Sequence, residues 1–88
     1  MSYNDLYSET ISKKFKKIKK KDSKHLEIIF KKIDDILQNP NNKYKFLHHE
    51  LKGLNRVHIG HFVLVFKINH QTQTISFEDY DHHDKIYQ

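Results

Sequence analysis

Eight histidines in a chain of 88 residues supply most of the side-chain chemistry it could perform. Five of them fall at three places that also hold a cation or a phenol: His48, His49 and Lys52; Arg56 and His58; and His82, His83 and Tyr87. An imidazole ordinarily titrates near pH 6.5, so neutral and protonated rings coexist at neutral pH and two of them can act as base and acid. Cleavage of RNA by its own 2′-hydroxyl needs such a pair, plus cations for the crowded phosphorane, and no metal or cofactor. Lys52 and Arg56 would supply charge, the arginine through a planar fork matched to phosphate oxygens. Tyr87 could stack on a base or donate a proton. Zinc is a competing chemistry, but adjacent histidines lack the i, i+4 spacing of helical zinc ligands and the chain has no cysteine. Taken singly, a histidine on a polar strand face is most often a solvated or hydrogen-bonded surface residue.

The elements that must position these groups centre on Leu51 to Ile68. The run His61 to Ile68 is almost unbroken β-branched, aliphatic and aromatic, the pattern of a strand buried on both faces. Before it, Arg56 and His58 share one face of an extended segment because the side-chain period is two, while Val57 and Ile59 face the core. Three consecutive strands are expected, at Leu54 to Ile59, His61 to Ile68 and Thr74 to Tyr80, with Gly60 in a tight turn and Asn69 to Gln73 as a polar hairpin loop. Upstream, Ile11, Phe15 and Ile18 form a narrow apolar stripe on a helix from Glu9, and Met1 to Ser8 could form a short first strand. A second helix, with Ser23 as its expected N-cap, carries Leu26, Ile29, Phe30, Ile33, Ile36 and Leu37 and ends at Asn39 to Asn42 around Pro40. The expected fold is therefore α+β: an N-terminal two-helix layer packed on a small antiparallel sheet, in one domain over residues 1 to 88. The tail Asp81 to Gln88 is polar and compact.

Charge is unevenly distributed. The chain has 16 Lys and Arg against 11 Asp and Glu, a formal net charge of +5, and ten of the lysines lie between Glu9 and Lys32. A positive helix face of this kind attracts polyanions, nucleic acid first and anionic membrane second, and Lys13, Lys16, Lys17 and Lys20 are the candidates to hold an RNA backbone. The same lysines could equally be an ordinary solvated face. The longest apolar run is far short of the roughly 20 residues that span a bilayer. With no cysteine and no signal-type segment, the expected compartment is a reducing cytoplasm, without membrane association.

The order of lysine-rich helical hairpin, L-K-G, R-x-H, G-x-F-x-L-x-F strand, polar hairpin and H-H-x-x-x-Y tail resembles the RelE superfamily of small toxins. Within it the similarity is closest to the histidine-using, YafQ-like mRNA interferases, and it is most specific over Phe46 to Tyr87. The resemblance implies the toxin of a type II toxin–antitoxin pair: an endoribonuclease that cuts mRNA on the ribosome, needs no cofactor, and is inhibited by a cognate RelB-like antitoxin. Carried over by position, His49, His58 and His83 become the acid-base candidates, with base and acid unassigned, and Tyr87 the terminal aromatic; Lys52 and Arg56 hold phosphate. His82 is the weaker alternative to His83. Val63 and His83 stand where the wider family has arginines, and Gly60, His61 and Phe62 where the YafQ-like branch has an aspartate. Two other readings fit those departures: a noncatalytic binding module on the same fold, or a ParE-like toxin acting on gyrase. A basic nucleic-acid-binding protein unrelated to toxins is a third.

Overall fold

The computed structural model describes residues 2–47 and 53–87. The first element, β1 (Asn4–Tyr7), is followed by two helices, α1 (Glu9–Lys21) and α2 (Ser23–Gln38). Then come the two-residue strand β2 (Lys45–Phe46), β3 (Asn55–Ile59), β4 (Phe62–Asn69), β5 (Thr74–His82) and a single helical turn, α3 (His83–Ile86). The three expected strands form an antiparallel meander, and the helical hairpin packs on one face of it, as the α+β reading requires. The sheet gains a strand at each edge, in the order β1-β5-β4-β3-β2, and β1 runs parallel to β5, so the sheet is mixed.

Both helices form where the apolar stripes fall. Ile11 and Phe15 of α1 and Ile29, Ile33 and Ile36 of α2 are buried against Leu64, Phe66, Ile75, Phe77 and Tyr80. Ser8 caps α1, its hydroxyl accepting from the Ile11 N–H. The cap of α2 differs from expectation: Ser23 is already the first helical residue, and Asp22 is the N-cap, its carboxylate accepting from the His25 N–H at 3.1 Å. Two helices abut with one residue between them, so the last non-helical position must be the cap. Asp22→Ala is expected to destabilise the chain by about 1 kcal/mol in chemical denaturation, whereas Ser23→Ala should change stability by less than about 0.5 kcal/mol.

Burial on both faces of β4 follows from what covers each side. Leu64 and Phe66 face the helices, and Val63 and Val65 face the other way, yet all four are at most 3% exposed. Leu47, Leu54 and Ile86 line a cavity with Val65 on that second face. Opposite β4, a bulge in β5 decides which side chains reach which side. Val65 pairs with Asp79 but Phe66 pairs with Phe77, leaving Glu78 as the extra residue. Strict alternation would put Ile75, Phe77 and Asp79 on one face. The bulge instead sends Ile75, Phe77 and Tyr80 into the core and turns Asp79 and Asp81 to the open face. Gly60, at φ 60°, opens the two-residue turn between β3 and β4, the pattern of a type II′ hairpin that favours glycine at its first position.

Candidate functional site

Arg56 and His58 project from β3 onto the face away from the helices, level with Val65 and Val63 of β4. Asp79 and Asp81 sit beyond those valines on β5. The face is therefore an apolar floor with cationic and imidazole groups on one side and carboxylates on the other.

The C-terminal residues are brought back over this floor by α3. The His83 N–H donates to the His61 carbonyl at 2.8 Å, His82 takes the N-cap position, and the Tyr87 N–H donates to the His83 carbonyl at 3.2 Å. The chain thus turns sharply as β5 ends, and residues four apart on one turn, His83 and Tyr87, lie side by side with ring centroids 4.7 Å apart. The His83 ring stacks on that of His58 at 5.8 Å with 28° between planes. The Arg56 guanidinium lies 5.8 Å from the Tyr87 ring centroid, and its Nε donates to the Phe46 carbonyl at 3.0 Å. Four residues singled out from the sequence, Arg56, His58, His83 and Tyr87, are brought into one contiguous group.

The remaining candidates divide. His49 and Lys52 lie outside the described residues. Lys13, Lys16, Lys17 and Lys20 are exposed on α1, which packs on the opposite face of the sheet, and Lys13 pairs with Glu9 at 3.3 Å. The structure does not bring them to Arg56 and His58. His82 stacks on His61 at 6.1 Å instead of on His58, and its Nδ1 faces the Asp84 N–H at 3.4 Å. The geometry thus pairs His83, not His82, with the strand histidine.

One α1 lysine does reach the open face, and no spacing rule distinguishes it from its neighbours. Strand β1 pairs with β5 only as far as Phe77, so the edge beyond is uncovered, and Lys14 reaches across it to Asp79 Oδ1 at 2.7 Å and Asp81 Oδ2 at 2.9 Å. Burial opposes the charge on Lys14, but the hydrogen bonds to the two carboxylates outweigh it and hold its pKa above the ordinary lysine value. Burial likewise opposes ionisation of Asp81, and hydrogen bonds from Lys14 and the His82 N–H, with the charges of Lys14 and Lys85, bring its pKa below the ordinary carboxylate value. A raised lysine stabilises the fold below its unfolded pKa and loses that contribution as pH rises through the folded value. A lowered aspartate stabilises above its unfolded pKa and loses it as pH falls through the folded value. The pair therefore contributes across the neutral range, at most about 1 kcal/mol for groups this exposed. Lys14→Met is expected to lower stability by that order at pH 7. The difference from the unmodified chain should shrink below pH 4 in thermal unfolding measured across pH.

No family model matches the chain. A protein of Methanosarcina mazei, described as uncharacterised, is 53% identical over 78 residues, covering 88% of this chain and 90% of that one. A protein of Methanocaldococcus jannaschii described as a candidate RelE4 toxin is 46% identical over 79 residues, covering 89% and 83%. Among solved structures, a mutant of the E. coli toxin RelE in the free state aligns with a TM-score of 0.79 at 15% identity, covering 99% of this chain and 92% of that one. The RelBE2 toxin–antitoxin complex of Mycobacterium tuberculosis gives 0.77 at 20% identity, covering 93% and 99%. The archaeal RelE–RelB complex of Pyrococcus horikoshii gives 0.71 at 16%, covering 94% and 97%. At these identities the solved structures show a shared fold.

Proposed function

The chain belongs to the RelE toxin family, and from that premise we propose that it is a metal-independent endoribonuclease that cuts mRNA on the ribosome and is silenced by a RelB-like antitoxin. The observation that carries the reading is the meeting of His58 and His83, 25 positions apart in sequence, with Arg56 and Tyr87 beside them.

One imidazole accepts the proton of the 2′-hydroxyl as the 2′-oxygen bonds to phosphorus. The other donates a proton to the 5′-oxygen as the phosphorus–oxygen bond breaks. Both oxygens belong to one phosphodiester, so the two rings must be neighbours, and they are. The bond from Arg56 Nε to the Phe46 carbonyl fixes the guanidinium plane, whose other N–H groups can serve the phosphorane oxygens. Val63, where the wider family carries an arginine, is fully buried in the floor of the face, so charge comes from Arg56 and from Lys85, which lines the cavity beside Val65. Tyr87, packed between Arg56 and His83, is suited to stack on a base. His49 and Lys52 remain proposed contributors from the segment before β3.

The antitoxin follows from charge and kinship. Two of the solved relatives are toxin–antitoxin complexes, and a chain of net charge +5 suits an acidic segment that folds as it binds. The ribosome is the substrate platform the family implies. Among the described residues no helix is long and apolar enough to cross a membrane, and a cytoplasmic toxin is the reading these properties support.

Purified protein added to ribosomes carrying a defined mRNA should yield discrete fragments by primer extension. Intact mRNA would overturn the nuclease reading, and growth arrest with intact mRNA and damaged DNA would favour gyrase as the target.

A further inference from the structure

A groove of about 460 Å³ lies between α1 and the stretch of β5 that β1 leaves uncovered. Lys14, Lys17 and Lys21 line it from α1, spaced three and four apart and so on one face of the helix. Lys85 closes it from α3. Its two acids are engaged: Asp81 with Lys14, and Asp22 as the cap that accepts from the His25 N–H. Among the described residues, none of Lys17, Lys21 and Lys85 forms a salt bridge.

The inner wall is aromatic. Phe62 stacks flat on Tyr80, with centroids 5.2 Å apart and 6° between planes, and the His25 ring meets Phe62 edge-on at 4.8 Å. His25 Nε2 lies 2.7 Å from the Tyr80 hydroxyl. Burial holds that hydroxyl protonated. When it donates to Nε2, the ring proton sits on Nδ1, which becomes a donor for an anion. Sequence reading gave His25 no role, because its partner is 55 positions away.

The groove is continuous with the open face of the sheet: Lys14, Asp81 and Lys85 line both the groove and the cavity beside Val65. We propose that this groove is a second RNA-binding site, holding a phosphodiester of the cut single strand a few nucleotides from the scissile bond, where the strand passes around the free edge of β5. Lys17 and Lys21 grip the phosphate, and a base lies against the wall formed by Phe62 and His25. Phosphate charge with an adjoining base face is the ligand that cations beside aromatics suit. The proposal rests on the nuclease reading for the identity of the strand.

Binding is measured by fluorescence anisotropy with 2′-O-methyl RNA, which lacks the nucleophile and stays intact, as a trinucleotide and as a dodecanucleotide across a salt series. Lys17→Gln/Lys21→Gln is expected to weaken dodecanucleotide binding on the order of tenfold. It should also reduce the salt slope by about 0.7, the loss of one single-strand phosphate contact. Trinucleotide binding should not change. Lys19→Gln/Lys24→Gln removes the same charge from exposed positions on the helical hairpin that line neither the groove nor the cavities beside Val65 and His58, and should leave both affinities unaltered, with circular dichroism verifying the fold of each variant. Equal weakening by the two double variants would reduce the effect to diffuse charge and overturn the site. So would unchanged dodecanucleotide affinity, including the case in which only ribosome binding falls. These arms read the groove directly, so they decide the proposal even if no ribosome-bound mRNA is cut.

Discussion

Replacing His58 or His83 by alanine is expected to slow cleavage of ribosome-bound mRNA by about 10²- to 10⁴-fold, the usual contribution of a positioned acid or base. Neither change should unfold the chain, because both side chains are exposed. The double replacement should be little worse than the more damaging single one, since a base without its acid leaves the same step uncompleted and groups that act as a unit are not additive. His82→Ala is the contrasting case. Its ring stacks on His61, and a modest loss is expected through α3, whose N-cap it forms, and not a loss of the chemical step. If His82→Ala matched His83→Ala in single-turnover rate, the pairing of rings would be the wrong guide to the acid-base groups.

The largest effect on stability is expected at Phe66. Its side chain is fully buried at the centre of β4, edge-on to Tyr44 at 5.2 Å and against Phe77 at 6.0 Å, with both helices packed over it. Phe66→Ala removes the ring's transfer energy and leaves a cavity that two helices and a sheet cannot close. The loss should be about 3 to 5 kcal/mol. Small domains hold only about 5 to 15 kcal/mol in total, so the variant should melt about 15 °C lower or more by calorimetry, or fail to fold. Phe46, 52% exposed on β2, provides the comparison: Phe46→Ala should change stability by less than about 0.5 kcal/mol.

How far these features were legible in the sequence depended on whether their signal was local. The almost unbroken apolar run of His61 to Ile68 announced burial on both faces of β4, and period two placed Arg56 and His58 on one face of β3. The stripes of Ile11, Phe15 and Ile18, and of Leu26 through Leu37, gave both helices. By contrast, β1 reads Asn-Asp-Leu-Tyr, without alternation, and is held by its parallel ladder to β5 and not by its own burial. Strand β2 is two residues long and exists through pairing with Asn55 and Arg56. Helix α3 is one turn, too short for periodicity to reveal.

The site shows the same division. Residue types marked the histidines, but the choice of His83 over His82 depends on how the chain turns after β5. The bulge at Glu78 is likewise silent in sequence, although without it Asp79 would face the core and Tyr80 the open face. Lys14 sits in a run of like residues, and only the uncovered edge of β5 selects it. Local patterns specified the scaffold, and contacts between distant segments specified which of several similar residues meets the open face of the sheet.

In the proposed reaction, two imidazoles on the open face of the sheet drive attack by the RNA's own 2′-hydroxyl. It is tested most directly by the chemical ends of mRNA fragments produced on the ribosome by the unmodified protein. Mass spectrometry should find a 2′,3′-cyclic phosphate, or the 3′-phosphate formed when it opens, on the upstream fragment and a 5′-hydroxyl on the downstream one. A 3′-hydroxyl paired with a 5′-phosphate would mean that water attacked the phosphorus in place of the 2′-oxygen, and would contradict the account.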